Sequence, residues 1–198
     1  DQDNFQKSIK IVHNLLKPVE ARKYALSRFM ITYIIRQGIY YDAYDTSKIF
    51  RGLIGAQYWD LLHEVYEMNK NRFLLYFSIL NDLKWIAKEG HIGGLRVFRD
   101  RAKGNSRELV LLAASNGHLE FLQELDALGY LETNSSLHVE EYLSAICWAA
   151  SKGYVECLEF LVSRLGTKYL DSIDNMGYKP IHYAAKSKNP GASIKLIL

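Results

Sequence analysis

Apolar positions along this chain recur three and four residues apart without sustained alternation, and the elements this predicts are helices. The pattern also repeats. Leu112-Ala113-Ala114-Ser115-Asn116-Gly117-His118-Leu119-Glu120, Trp148-Ala149-Ala150-Ser151-Lys152-Gly153-Tyr154-Val155-Glu156 and Ile181-His182-Tyr183-Ala184-Ala185-Lys186 align on their paired alanines, at steps of 36 and 35 residues. A weaker copy, Trp85-Ile86-Ala87-Lys88-Glu89-Gly90-His91-Ile92, precedes them, its Ala87 27 residues before Ala114. Self-similarity at such a period marks a stack of small structural units.

The residue types say what each unit is. Two alanines in a first helix let a second helix approach closely, because a methyl group fills little space. A glycine shortly after them stops that helix in a left-handed turn. Glu120-Phe121-Leu122 and Glu156-Cys157-Leu158 then open a second helix, whose apolar face continues at Leu125, and at Leu161 and Val162. One face of each helix pair stays uncovered until a neighbouring pair stacks on it.

The stretch Asp174-Asn175-Met176-Gly177-Tyr178-Lys179-Pro180-Ile181-His182-Tyr183-Ala184-Ala185 resembles the ankyrin signature, Asp-x-x-Gly-x-Thr-Pro-Leu-His-x-Ala-Ala. Pro180 suits a first helical turn, where its missing N–H is not needed, and Gly177 suits a turn requiring positive φ. Lys179 replaces the usual Thr, which weakens the helix start. Glu108-Leu109-Val110-Leu111 and Ser144-Ala145-Ile146-Cys147 occupy the corresponding place in the more degenerate copies. The resemblance implies an all-α fold in which residues 78–198 form an ankyrin-repeat solenoid of about four helix pairs. Their expected bounds are 78–103, 104–133, 140–170 and 174–198, the last one truncated.

Residues 1–77 carry no matching repeat and read as a helical N-terminal domain or cap. Helices are expected at Asn4–Leu16, at Pro18–Gln37 with its Ala25, Phe29, Tyr33 and Ile34 face, near Ser47–Leu53, and at Tyr58–Met68. Asp1 is not an initiator Met, and Asp1–Phe5 has no apolar signal core. The chain also stops at Leu196-Ile197-Leu198, inside an unfinished helix pair, where an array needs a polar cap. The expectation is a piece of a longer protein.

Composition narrows the function. A hydrophobic fraction of 48% with 24% charged residues is ordinary for a soluble protein. A formal charge of +3 gives no concentrated basic stripe; Arg96, Arg99, Arg101, Lys103 and Arg107 read as a solvated surface, so no nucleic acid is expected. No apolar run approaches a membrane span. Two cysteines, Cys147 and Cys157, placed in one helix pair, read as free buried thiols in a reducing, cytoplasmic setting.

Candidate chemistry is thin. His91, His118 and Tyr154 fill the position after the glycine and read as hydrogen-bonding residues at a helix start. His182 reads as a tie within the signature turn. Cys147 and Cys157 fall at core positions rather than beside a base. His63 and Glu67 share a helix face at i and i+4 but are too few for a zinc site. Gly90-His91-Ile92-Gly93-Gly94 lacks the Lys-Ser/Thr of a phosphate loop. No catalytic residue, metal, cofactor or small-molecule ligand is therefore expected.

The resemblance implies that the chain binds another protein through the concave face and turn tips. The two residues after each Ala pair, or its upstream equivalent, then become contact candidates: Lys88 and Glu89, Ser115 and Asn116, Ser151 and Lys152, Lys186 and Ser187. The best turn tip adds Asn175, Met176 and Tyr178, with Tyr178 and Met176 as energetic anchors. The alternative is a substrate-recognition part of a larger multidomain enzyme, or of a host-directed effector whose catalytic region lies outside this chain.

Overall fold

The computed structural model describes residues 50–69, 75–131, 139–187 and 190–198. The expected helices Asn4–Leu16 and Pro18–Gln37 lie outside these. Among the described residues all regular elements are helical. They form two compact units, one made of residues up to Leu83 with Gly93–Arg101, the other of Lys84–Ile92 with Ala102–Leu198. The expected first pair, 78–103, is thus divided between the two.

The first unit holds a helical stretch at 50–55, the helix Trp59–Asn69 (α1), the first part of Leu75–Glu89 (α2), and most of Ile92–Val97 (α3) and Arg99–Ala102 (α4). Phe50, Leu53, Ile54, Leu62 and Phe98 are fully buried. The Phe98 ring meets Tyr66 edge-on at 5.0 Å and Phe50 at 5.5 Å. Tyr66 donates its hydroxyl to both carboxylate oxygens of Asp100 at 2.7 Å, and burial, helped by that carboxylate, pushes its pKa up to about 12. Gly93, which no sequence pattern accounted for, lies under the Trp59 indole. A Cβ there would come within 2.3 Å of the ring.

The second unit contains the end of α2, then Ser106–Asn116 (α5), Leu119–Ala127 (α6), Val139–Lys152 (α7), Val155–Leu165 (α8), Lys168–Asp171 (α9), Pro180–Ala185 (α10) and Pro190–Ile197 (α11). Helices α5, α7 and α10 pack side by side as one layer, and α6, α8 and α11 as a second. The paired alanines make this possible: Ala113, Ala114, Ala149, Ala150 and Ala184 are fully buried where the layers meet. Phe121, Leu122, Leu158 and Leu161 fill the space between layers. Each such side chain, taken wholly out of water, stabilises the stack by about 1.5–3 kcal/mol.

The turn inside each pair follows the sequence. Gly117 closes α5 at φ 79°, its N–H returned to Ala113 and Ala114, and Gly153 does the same after α7 at φ 73°. The residue after the glycine behaves differently from the expectation. His118 makes no side-chain bond to its own helix. Its Nε2 reaches 2.7 Å to the carbonyl oxygen of Lys88 in the last turn of α2, while its ring covers Gly90, where a Cβ would stand 2.7 Å away. Tyr154 covers Gly117 in the same manner, a Cβ there falling 2.9 Å from its ring. The position stands at the start of the second helix, as expected, but its side chain ties consecutive repeats instead of capping its own helix.

Ion pairs follow the same direction. Lys84 pairs with Glu108 at 2.8 Å, Arg107 with Glu141 at 3.1 Å and Arg164 with Asp126 at 2.7 Å. All are partly exposed, so each contributes at most about 1 kcal/mol and sets register more than stability. The pair to Glu141 exists because α7 starts at Val139, well before Ser144. No Pro or Gly interrupts Val139–Ser144, and Glu140 and Glu141 favour a helix N-terminus. α10, in contrast, starts at Pro180.

Candidate functional site

The site is built on the turn Asp174–Tyr178. Gly177 takes φ 79° and donates its N–H to the carbonyl of Asp174 at 2.9 Å, while Asp174 donates to the carbonyl of Tyr178 at 2.9 Å. The Asp174 carboxylate gathers the rest: Oδ1 accepts the N–H groups of Met176 and Tyr178, each at 2.9 Å, and Oδ2 accepts the Tyr183 hydroxyl. These donors hold the Asp174 pKa below its ordinary 3.8, the Tyr183 hydroxyl contributing most. The same bond pushes Tyr183 up to about 12. His182 completes the start of α10, its Nδ1 accepting the Lys179 N–H at 2.8 Å, as its place in the signature suggested. Lys179 itself pairs with Asp171 at 3.1 Å.

Beside this turn runs a groove of about 540 Å³, lined by Ser144, Cys147, Trp148 and Ser151 of α7 with Asp174, Asn175, Met176 and Tyr183. The α7 residues stand at i, i+3, i+4 and i+7, one face of the helix. Trp148 is 49% exposed and Met176 71%, so two large apolar side chains stay wetted beside one groove. Tyr178, 41% exposed, meets His182 and Tyr183 edge-on at 5.8 and 6.1 Å. The Lys186 ammonium sits 4.8 Å from the Tyr178 ring centre and that of Lys152 5.7 Å from Trp148.

The contact candidates therefore separate. Ser151, Asn175 and Met176 line the groove, and Lys152, Tyr178 and Lys186 are exposed and engaged with its aromatic rings or those of the turn. Lys88 and Glu89 are exposed at the end of α2, away from these residues in sequence, and the Lys88 carbonyl is occupied by His118. Ser115 and Asn116 turn back on α5, both bonding the Leu112 carbonyl; Ser151 does likewise to Trp148. Ser187 is half-buried. Trp148 and Tyr183 precede the alanines, outside the positions the resemblance marks for contact. A Trp abutting an Ala pair was the available signal.

Both cysteines are free and buried. Burial pushes the Cys147 thiol up to about 12, with Asp174 adding to it, and the Cys157 thiol up to about 11. Such thiols are poor nucleophiles. His63 and Glu67 lie instead beside a first-unit cleft of about 720 Å³ with Trp59, Asp60 and Arg96. Among the described residues no three His, Cys, Asp or Glu side chains are grouped to hold a metal, and no helix is long and apolar enough to cross a membrane.

Two layers of helices in tandem pairs, joined by glycine turns and one Asp-anchored tip, define a helical repeat protein. Residues 102–198 match the family described as ankyrin repeats (3 copies). No curated protein and no solved structure matches the chain. The protein is an ankyrin-repeat protein over that segment, and such repeats are generally protein–protein interaction modules.

Proposed function

We propose that this chain is a non-catalytic, cytoplasmic recognition module that binds a partner protein along the α7–α10 groove and the Asp174–Tyr178 tip. The observation that carries the reading is the concentration of wetted Trp148, Met176 and Tyr178 around one groove. Large aromatic and Met side chains, not buried area alone, dominate interface energetics. The Asp174–Tyr183 bond holds the tip in shape beforehand, which lowers the ordering cost of binding. Lys152, Tyr178 and Lys186 are proposed as rim contacts, and Ser151, Asn175 and Met176 as lining. Lys88, Glu89, Ser115, Asn116 and Ser187 extend the surface along the array. We also propose the repeat bounds 104–133, 140–170 and 174–198, with 78–103 as a divergent unit and 1–77 as a helical N-terminal domain or cap.

The reading is tested with Trp148→Ala and Met176→Ala in the full chain, against a partner identified by cross-linking. Each substitution is expected to weaken binding by about tenfold or more, on the scale of interface anchors, with unchanged helical content. Unchanged affinity in both folded variants would overturn it.

A further inference from the structure

Resting on the groove reading above, we propose that the groove's occupant is an extended acidic segment of the partner. One large apolar side chain seats against Trp148 and Met176, and flanking Asp or Glu side chains meet Lys152 and Lys186. The lysines point to such a segment. Each ammonium is parked over a ring that the partner would cover, Lys152 at Trp148 and Lys186 at Tyr178. A partner that lies on those rings strips water from both cations, a cost that only an opposite charge or good acceptors offset. The protein supplies no such charge itself. Among the described residues neither ammonium has a carboxylate partner. Asp174, the carboxylate lining the groove, already accepts three donors, and Asp171 is taken by Lys179.

Geometry argues for a chain segment. The lining comes from one face of α7, the Asp174–Met176 turn and Tyr183 of α10, an open groove along a helix that a chain segment can follow, with the lysines over rings beside it. A nucleic acid offers negative charge and stacking bases, but its affinity needs a run of phosphate contacts along a basic stripe. Two lysines beside Met176 and the buried Cys147 thiol do not make one.

The test is selection of short random peptides displayed on phage against the full chain, followed by solution affinities of the enriched peptides. The expected winners carry Trp, Phe or Leu flanked by Asp or Glu, and lose about tenfold or more in affinity to the Lys152→Glu/Lys186→Glu variant. Their affinity should fall with salt, and a Lys103→Glu/Lys195→Glu control with the same change in net charge should leave it intact. Winners that are neutral or basic, yet lost in Trp148→Ala, would overturn the acidic assignment and leave the groove standing. Winners indifferent to Trp148→Ala and Met176→Ala would overturn the groove reading as well. No enrichment at all, or tighter binding of a single-stranded oligonucleotide with the same Lys152 and Lys186 dependence, would overturn the proposal.

Discussion

His118 Nε2 lies 2.7 Å from the carbonyl oxygen of Lys88, so a side chain at the N-cap of α6 meets a backbone acceptor in the last turn of α2, the first helix of the preceding pair. The ring that makes this bond also roofs Gly90, whose φ of 72° suits glycine. Stacking and turn chemistry are thus one device. Removing the ring in His118→Ala loses a hydrogen bond and the cover over Gly90, and is expected to cost about 1–2 kcal/mol in a urea melt. Gly90→Ala meets both strain and clash and should cost more than about 1 kcal/mol. Wild-type stability in both would refute the tie.

The Gly93–Trp59 contact predicts a reversal of sign. Ala is normally the better helix residue by about 0.5–1 kcal/mol. Here a Cβ at 2.3 Å from the indole must displace it, so Gly93→Ala is expected to destabilise and to change Trp fluorescence. In a Trp59→Ala background the same substitution should become neutral or stabilising. Additive effects in that double-mutant cycle would contradict the packing described.

The thiols offer a third check. With both pKa values raised by burial, native-state labelling by a disulfide reagent at about pH 8 should be slow and should become rapid in denaturant. Rapid native labelling of either cysteine would show a reactive thiol.

How far the sequence led can be judged from individual residues. Gly117, Gly153, Gly177 and Pro180 act through their own backbones, and each stands where the repeat pattern put it. Gly93 and Trp59 are far apart in the chain, so their contact follows from packing that no periodicity encodes. Trp148 precedes its Ala pair, and the groove-facing positions of α7 run through Ser144, Cys147, Trp148 and Ser151, a face set by packing against the Asp174 turn, not by the Ala repeat. The repeat pattern puts His118 at a helix start, but its acceptor, the Lys88 carbonyl, belongs to the preceding repeat and is invisible to the local pattern.

The Asp174–Tyr183 bond gives the tip a pH window. Asp174 has a folded pKa below 3.8, so its contribution is complete above that value and is lost as pH falls through the lowered one. Tyr183 is raised from 10.0 to about 12, so its contribution is complete below 10.0 and is lost as pH rises through about 12. Asp174→Asn should flatten the acid limb of a stability–pH curve and Tyr183→Phe the alkaline limb, each lowering the neutral melting temperature slightly. Unaltered limbs would count against the bond.

If a partner covers the groove, hydrogen–deuterium exchange of the full chain, free and bound to a partner identified by cross-linking, should show new protection concentrated in residues 144–152 and 174–187, with α6 and α8 unchanged. Protection confined to α1, or to the α6–α8 layer, with 144–152 and 174–187 exchanging as in the free chain, would contradict groove binding.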